Sequence, residues 1–170
     1  MHIRSADISD IPAIARIHVL AWRAAYGGYM PTELLHSLDI EQRTSDWQGW
    51  LSEPGPGTTY VVEDSKSLVG FCVFGPTRDD DSQGESVGEI LSINIHPDHW
   101  RRGCGRYLCQ AVFKEAEHRQ WRSLALWVLK ANERAHLFYQ SLGFSRDGSE
   151  RVESDLTDYP LVEIRYQKIM

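Results

Sequence analysis

Gly88-Glu89-Ile90-Leu91-Ser92-Ile93-Asn94-Ile95-His96-Pro97-Asp98-His99-Trp100-Arg101-Arg102-Gly103-Cys104-Gly105-Arg106 is the stretch that decides how this chain folds. An apolar strand runs through a turn marked by Pro97 into a glycine loop that opens a helix. In the loop Arg101-Arg102-Gly103-Cys104-Gly105-Arg106, successive backbone N–H groups at a helix start are left to bind an anion. The helix dipole favours negative charge there, and glycines let a ligand approach the main chain. Arg101, Arg102 and Arg106 supply countercharge, so the loop reads as a phosphate-binding site. It is not a P-loop, because no Gly-Lys-Ser/Thr follows. Nor is it a dinucleotide fingerprint, because Gly105 is followed by Arg106-Tyr107-Leu108 with no third glycine.

Working outward, Leu126-Trp127-Val128-Leu129-Lys130-Ala131-Asn132-Glu133-Arg134-Ala135-His136-Leu137-Phe138-Tyr139-Gln140-Ser141-Leu142-Gly143-Phe144 reads as strand, cap, helix and stop. Leu124 to Leu129 is an apolar run of buried-strand length and Asn132 is a good N-cap. Ala135, Phe138, Tyr139 and Leu142 recur at helical spacing before Gly143 ends the helix.

Taken together, the two segments resemble motifs A and B of the GNAT superfamily of acyl-CoA-dependent N-acetyltransferases. Gly103 and Gly105 match the glycines of [QR]-x-x-G-x-[GA], with Trp100 where Gln or Arg is usual. Asn132, Ala135, Phe138, Tyr139, Gly143 and Phe144 match every defined position of N-x-x-A-x-x-F-Y-x-x-x-G-F. The resemblance implies acetyl-CoA as cosubstrate, its pyrophosphate held by Arg101, Arg102, Gly103, Cys104, Gly105 and Arg106. It implies that Ile93-Asn94-Ile95 splays from its neighbouring strand to pair with the pantetheine amides, an N–H of Ile93 or Asn94 facing the thioester carbonyl. Asn132 is implied to hold the pantetheine arm, plain N-capping being the other reading, and Phe138 to lie against the cosubstrate.

The same resemblance supplies the catalytic expectations. Glu89, at the spacing of the general base in several members, takes the proton of the attacking ammonium, often through water; the alternative is an ordinary strand glutamate facing solvent. Tyr139 protonates the departing thiolate, or is simply an aromatic on the buried helix face. Direct attack of the amine within a ternary complex follows. Trp22, Tyr26, Tyr29 and Tyr159 are expected walls of an acceptor pocket, with Asp79 to Asp81 attracting a cationic amine. Ribosomal-protein N-terminal acetyltransferases carry their base on the next strand, where this chain has Trp127. The expected function is acetylation of a primary amine on a small molecule or peptide. The alternatives are a non-catalytic acyl-CoA-binding sensor or accessory protein, and a protein N-terminal acetyltransferase.

Composition agrees. A chain of 170 residues with 42% apolar content can bury one core, so residues 1–170 are expected to be a single domain. The net charge of −6 argues against nucleic acid as a partner. No apolar run is long enough to span a membrane, and Met1 to Asp7 lacks a signal-peptide core, which makes a cytoplasmic enzyme the expectation. Cys72, Cys104 and Cys109 read as reduced thiols. Cys104, at a helix start, is a place where a thiol pKa could be lowered. His96, His99 and Cys104 are too loosely spaced for zinc, so no metal is expected.

The remaining elements read as a first strand from Ile3 to Ala6 and a helix capped by Ser9 with Ile11, Ile14, Ile17, Ala21 and Ala25 on one stripe. Short helices follow over Thr32 to Leu38 and Glu41 to Leu51. A hairpin joins Thr58 to Glu63 with Leu68 to Gly75, and closing strands run over Phe144 to Ser149 and Pro160 to Ile169. The fold class expected is α+β: a mixed, mostly antiparallel sheet of about seven strands with helices on both faces, the αβα sandwich of the acyl-CoA N-acyltransferase fold. Homodimers are common in the family, and the closing strands are where subunits would pair.

Overall fold

The computed structural model describes residues 1–53, 55–80, 86–153 and 160–170. Its strands are β1 (His2–Ser5), β2 (Thr58–Asp64), β3 (Ser67–Pro76), β4 (Val87–Ile95), β5 (Ser123–Leu129), β6 (Ser145–Glu153) and β7 (Leu161–Ile169). Its helices are α1 (Ile11–Tyr26), α2 (Thr32–Ser37), α3 (Ile40–Ser52), α4 (Cys104–His118) and α5 (Glu133–Gln140). The strands make one sheet in the order β1-β2-β3-β4-β5-β7-β6. Only the β4–β5 pairing is parallel. This is the expected α+β architecture. Among the described residues no helix is long and apolar enough to cross a membrane.

Strand alternation assigns each face. Val62, Cys72, Ile90, Leu124, Leu126, Ile164 and Tyr166 join Leu108 and Val112 of α4 in one core. Their neighbours Val61 and Phe71 join Ile14 and Ile17 of α1 and Trp47 of α3 in the other. A third cluster, Met30, Leu35, Leu129 and Leu161, extends the α1 side under Trp22 and Tyr26. Period-2 side chains thus feed helices on both faces of a sheet too apolar to leave either face wet.

Two local readings are corrected. The first helical turn is capped by Asp7, not Ser9: the Asp7 carboxylate accepts the Ser9 N–H at 2.7 Å, and the Asp10 carboxylate accepts the Asp7 N–H at 2.9 Å. This reciprocal pair starts a 3-10 turn over Ile8–Asp10 ahead of α1. β6 runs on to Glu153, well past Ser149, because its pairing with β7 resumes from Glu150 after an irregularity at Arg146.

One irregularity matters for function. Val73 pairs with Ser92 and Phe74 with Ile90, so Leu91 is an extra residue in β4. A bulge bends its strand and increases the twist. β4 pairs with β5 from Val87 to Ile90, opposite Ser123 to Leu126, and the two strands part beyond that point. The sheet therefore carries a notch between Leu91–Ile95 and Trp127–Leu129.

Candidate active site

A cavity of about 690 Å³ occupies this notch, lined by Leu91 to Ile95 on one edge and Trp127 to Leu129 on the other. The backbone on the β4 edge is set by alternation. His96 N–H donates to Val69 O at 2.8 Å, so His96, Asn94 and Ser92 direct their main-chain groups at β3. Ile95 and Ile93 direct theirs at the gap. Ile95 C=O bears this out by accepting the Trp100 indole N–H at 2.8 Å. Of the two amides expected to face a carbonyl, Ile93 is the one aimed into the notch. Asn94, itself buried, lines the cavity as well.

One end of the cavity is built by the two helices that start at its rim. Gly103 caps α4 with φ +86°, a left-handed conformation, and Arg101 before it has φ +60°. A Cβ on Gly105 would lie 3.1 Å from Phe138 Cζ, so the missing side chain is what lets α4 and α5 close on each other. Arg101, Gly103, Cys104, Gly105 and Arg106 line the cavity. Arg102 does not; it is exposed on the outside of the loop.

Arg134 was not foreseen. It lines the cavity and lies 3.7 Å above the Trp100 ring, a cation stacked on an indole at the rim. Partial burial, then the neighbouring Arg101, hold its pKa below the usual arginine value. Like charges held together at two helix N-termini suit a multiply charged anion. The signal available in the sequence was the pairing of an odd Trp100 with a cation two residues after Asn132.

At the centre, Tyr139 packs between Phe138 and Phe144, with ring centroids 5.1 and 5.8 Å away. It lines the cavity, as does Phe138. Burial pushes its phenol well above the usual tyrosine range, which keeps the proton on. Asn132 caps α5 by accepting the Ala135 N–H at 3.1 Å, and it also lines the cavity. Cys104 is 2% exposed, and burial raises its thiol pKa. Desolvation outweighs a backbone hydrogen bond and the nearby Arg102 charge, which act to lower it. Burial also pushes Cys109 up to about 12.

Glu89 is buried and does not face solvent. It is 1% exposed and is not among the residues that line the cavity. Its carboxylate accepts the Arg78 backbone N–H at 3.0 Å, Nε at 3.2 Å and Nη2 at 2.8 Å. The next residue, Asp79, accepts the Trp127 indole N–H at 3.1 Å and Arg165 Nη1 at 3.1 Å. Asp79 is thus committed to holding Trp127, not offered to an amine as expected. Asp81 lies outside the described residues, as does Tyr159.

Of the expected acceptor walls, Trp22 and Tyr26 line the cavity. Tyr29 does not and is 47% exposed, because α1 ends at Tyr26 and the chain turns outward. Glu163, on β7, was missed: it lines the cavity and accepts Arg151 Nε at 2.8 Å. Burial, then the charge of Glu163, raise the Tyr26 phenol. Among the described residues no three His, Cys, Asp or Glu side chains converge as a metal set.

Residues 14–144 match the model of the Acetyltransferase (GNAT) family. The uncharacterized N-acetyltransferase YuaI of Bacillus subtilis is 28% identical over 151 residues, 89% of this chain and 84% of that protein. The mycothiol acetyltransferase of Rhodococcus jostii is 29% identical over 82% of this chain, which spans only 43% of that protein. The PaiA N-acetyltransferase of Thermoplasma acidophilum, crystallised with coenzyme A, superposes with TM-score 0.77 at 16% identity, covering 99% of this chain and 98% of that one. YncA of Salmonella typhimurium with acetyl-CoA gives 0.69 at 21% identity over 99% and 92% of the two chains.

Proposed function

The chain belongs to the GNAT acetyltransferase family, and from that membership and the cleft we propose that it transfers the acetyl group of acetyl-CoA to a primary amine by direct attack in a ternary complex. The observation that carries the reading is the notch itself. Its rim has a helix-start anion site, its β4 edge an extended backbone that β5 does not pair beyond Ile90, and its centre a tyrosine that keeps its proton.

Each part has a task. The amides opening α4, with Arg101, Arg106 and Arg134, hold the diphosphate. Ile93 and Ile95 offer main-chain groups to the pantetheine amides, as an added strand would. The Ile93 N–H polarises the thioester carbonyl and stabilises the oxyanion that forms on attack. Tyr139 delivers its phenolic proton to the leaving thiolate. Glu89 acts at one remove, through Arg78 and Asp79, by fixing the Trp127 wall.

Release of the coenzyme A thiol from acetyl-CoA, assayed over a panel of alkylamines, arylalkylamines, polyamines, amino acids and short peptides, tests this. Amine-dependent release that falls in Tyr139→Phe supports it. Tight acetyl-CoA binding without release for any amine would establish a sensor instead. Release only with peptide N-termini would establish a protein N-terminal acetyltransferase.

A further inference from the structure

Deprotonating an ammonium requires a basic side chain in the cavity lining. Among the described residues, that lining holds one carboxylate, Glu163, and one imidazole, His99. His99 belongs to the turn beside Trp100, at the end where α4 and α5 start. Glu163 stands opposite Leu129 in the β5–β7 register and two residues from Leu161. Leu129 and Leu161 both pack with Met30 under Trp22 and Tyr26, which puts Glu163 on the α1 face of the sheet. Tyr139 packs into the core on the α4 face. The notch passes between them.

We propose that Glu163 is the residue that binds the acceptor ammonium and takes its proton, and that the acceptor is a primary amine carried on an apolar or aromatic body. This rests on the acetyltransferase reading above. The walls around Glu163 are Trp22, Tyr26, Met30, Trp127 and Leu161, a lining for rings and alkyl chains rather than for sugars or polyamines. Among the described residues, the groups facing Glu163 include Arg151 from β6, Tyr26 from α1 and, one pleat along β7, Arg165 with its partner Asp79. Arg151 keeps the carboxylate oriented. An α-carboxylate beside the amine would meet Glu163 and be repelled, so amines are preferred over the matching amino acids.

Glu163 takes one proton from the ammonium, and the freed lone pair forms the C–N bond to the thioester carbonyl carbon. The C–S bond breaks and the thiolate sulfur takes the Tyr139 proton. The nitrogen's surplus proton returns to the Tyr139 phenolate, and Glu163 passes its own to solvent. Acid and base on opposite faces of the sheet do not neutralise each other.

The test is the pH profile of kcat/KM for phenethylamine and phenylalanine, from pH 6 to 10, in wild type, Glu163→Gln and Glu89→Gln. Phenethylamine is expected to be the better acceptor. Glu163→Gln is expected to lower kcat/KM at pH 7 on the order of 100-fold. The deficit should close toward pH 10, where the amine loses its proton unaided. Glu89→Gln, disturbing only the Trp127 wall, should lower the profile by the same factor at every pH. A Glu163→Gln profile parallel to wild type, or a deficit in Glu89→Gln that closes at high pH, would overturn the proposal. Acetyl-CoA binding and thermal melting of Glu163→Gln show whether it is folded; if it is not, Glu163→Asp must keep the wild-type profile shape. If the wild type turns over no amine, the acetyltransferase reading falls. The site is then judged by titrating phenethylammonium and 2-phenylethanol into the coenzyme A complex: binding of the ammonium only supports it, and equal binding of both contradicts it.

Discussion

The two edges of the notch are built differently. The β4–α4 edge works through main chain: a bulge at Leu91, the outward amide of Ile93 and the left-handed Gly103 cap. The β5–β7 edge works through side chains drawn from distant parts of the chain, with Trp127 held by Asp79, Glu163 by Arg151, and Trp22 and Tyr26 laid across from α1. A cosubstrate common to a whole family needs only backbone geometry that many sequences can supply. An acceptor particular to one protein must be recognised by side chains.

Breaking the comparison at its centre should cost most. Tyr139→Phe keeps the ring against Phe138 and Phe144 and removes only the proton donor, so kcat is expected to fall roughly 100-fold or more. Acetyl-CoA affinity, measured by calorimetry, should stay within about 2-fold, because the lost hydroxyl leaves the phosphate and pantetheine contacts in place. Gly105→Val attacks the main-chain edge: its branched side chain would press on Phe138 and on the path of the phosphates. Acetyl-CoA affinity should drop more than about 10-fold, a loss beyond 1.4 kcal/mol.

Arg134→Ala is the next smaller step. Removing the stacked guanidinium is expected to weaken acetyl-CoA binding about 10-fold at low salt and less at high salt, where exposed charges are screened. Titration at two ionic strengths measures both. A salt-independent loss would mean that Arg134 serves mainly to pack against Trp100.

How much of this was legible in the sequence divides along the same line. Gly103, Gly105, Asn132 and the helix stop at Gly143 were readable because caps and turns depend on a few neighbouring residues. Glu89 was placed on the right strand but not in its surroundings, since the pairing with Arg78 depends on how the loop after β3 returns across the sheet. Glu163 was invisible because only the register with Leu129 and the face shared with Leu161 aim it at the cavity. Tyr26 and Tyr29 look equivalent in a string of letters. The end of α1 falls between them and sends one inward and the other out. At Cys104 burial, which a string of letters does not show, outweighed the groups that would lower the thiol.

The smallest expected effect lies beyond the notch, on the α1 side. Burial among Trp22, Trp47 and Phe71 holds the His18 pKa at about 4, down from 6.5. A histidine kept neutral in the fold but free to protonate when unfolded contributes stability fully present above about pH 6.5, and lost as pH falls toward 4. Thermal melts over that range should show a falling melting temperature, with a shallower slope in His18→Gln. The neutral amide can also accept the Trp47 indole N–H that His18 Nδ1 now accepts at 3.3 Å.

The most direct test is two-substrate kinetics of Arg134→Ala and Trp127→Ala, read as separate KM values for acetyl-CoA and for the amine. If the notch has a cosubstrate edge and an acceptor edge, Arg134→Ala raises the first constant and Trp127→Ala the second, each leaving the other within about 2-fold. Both variants raising the same constant, or neither raising one, would contradict the division of the cleft.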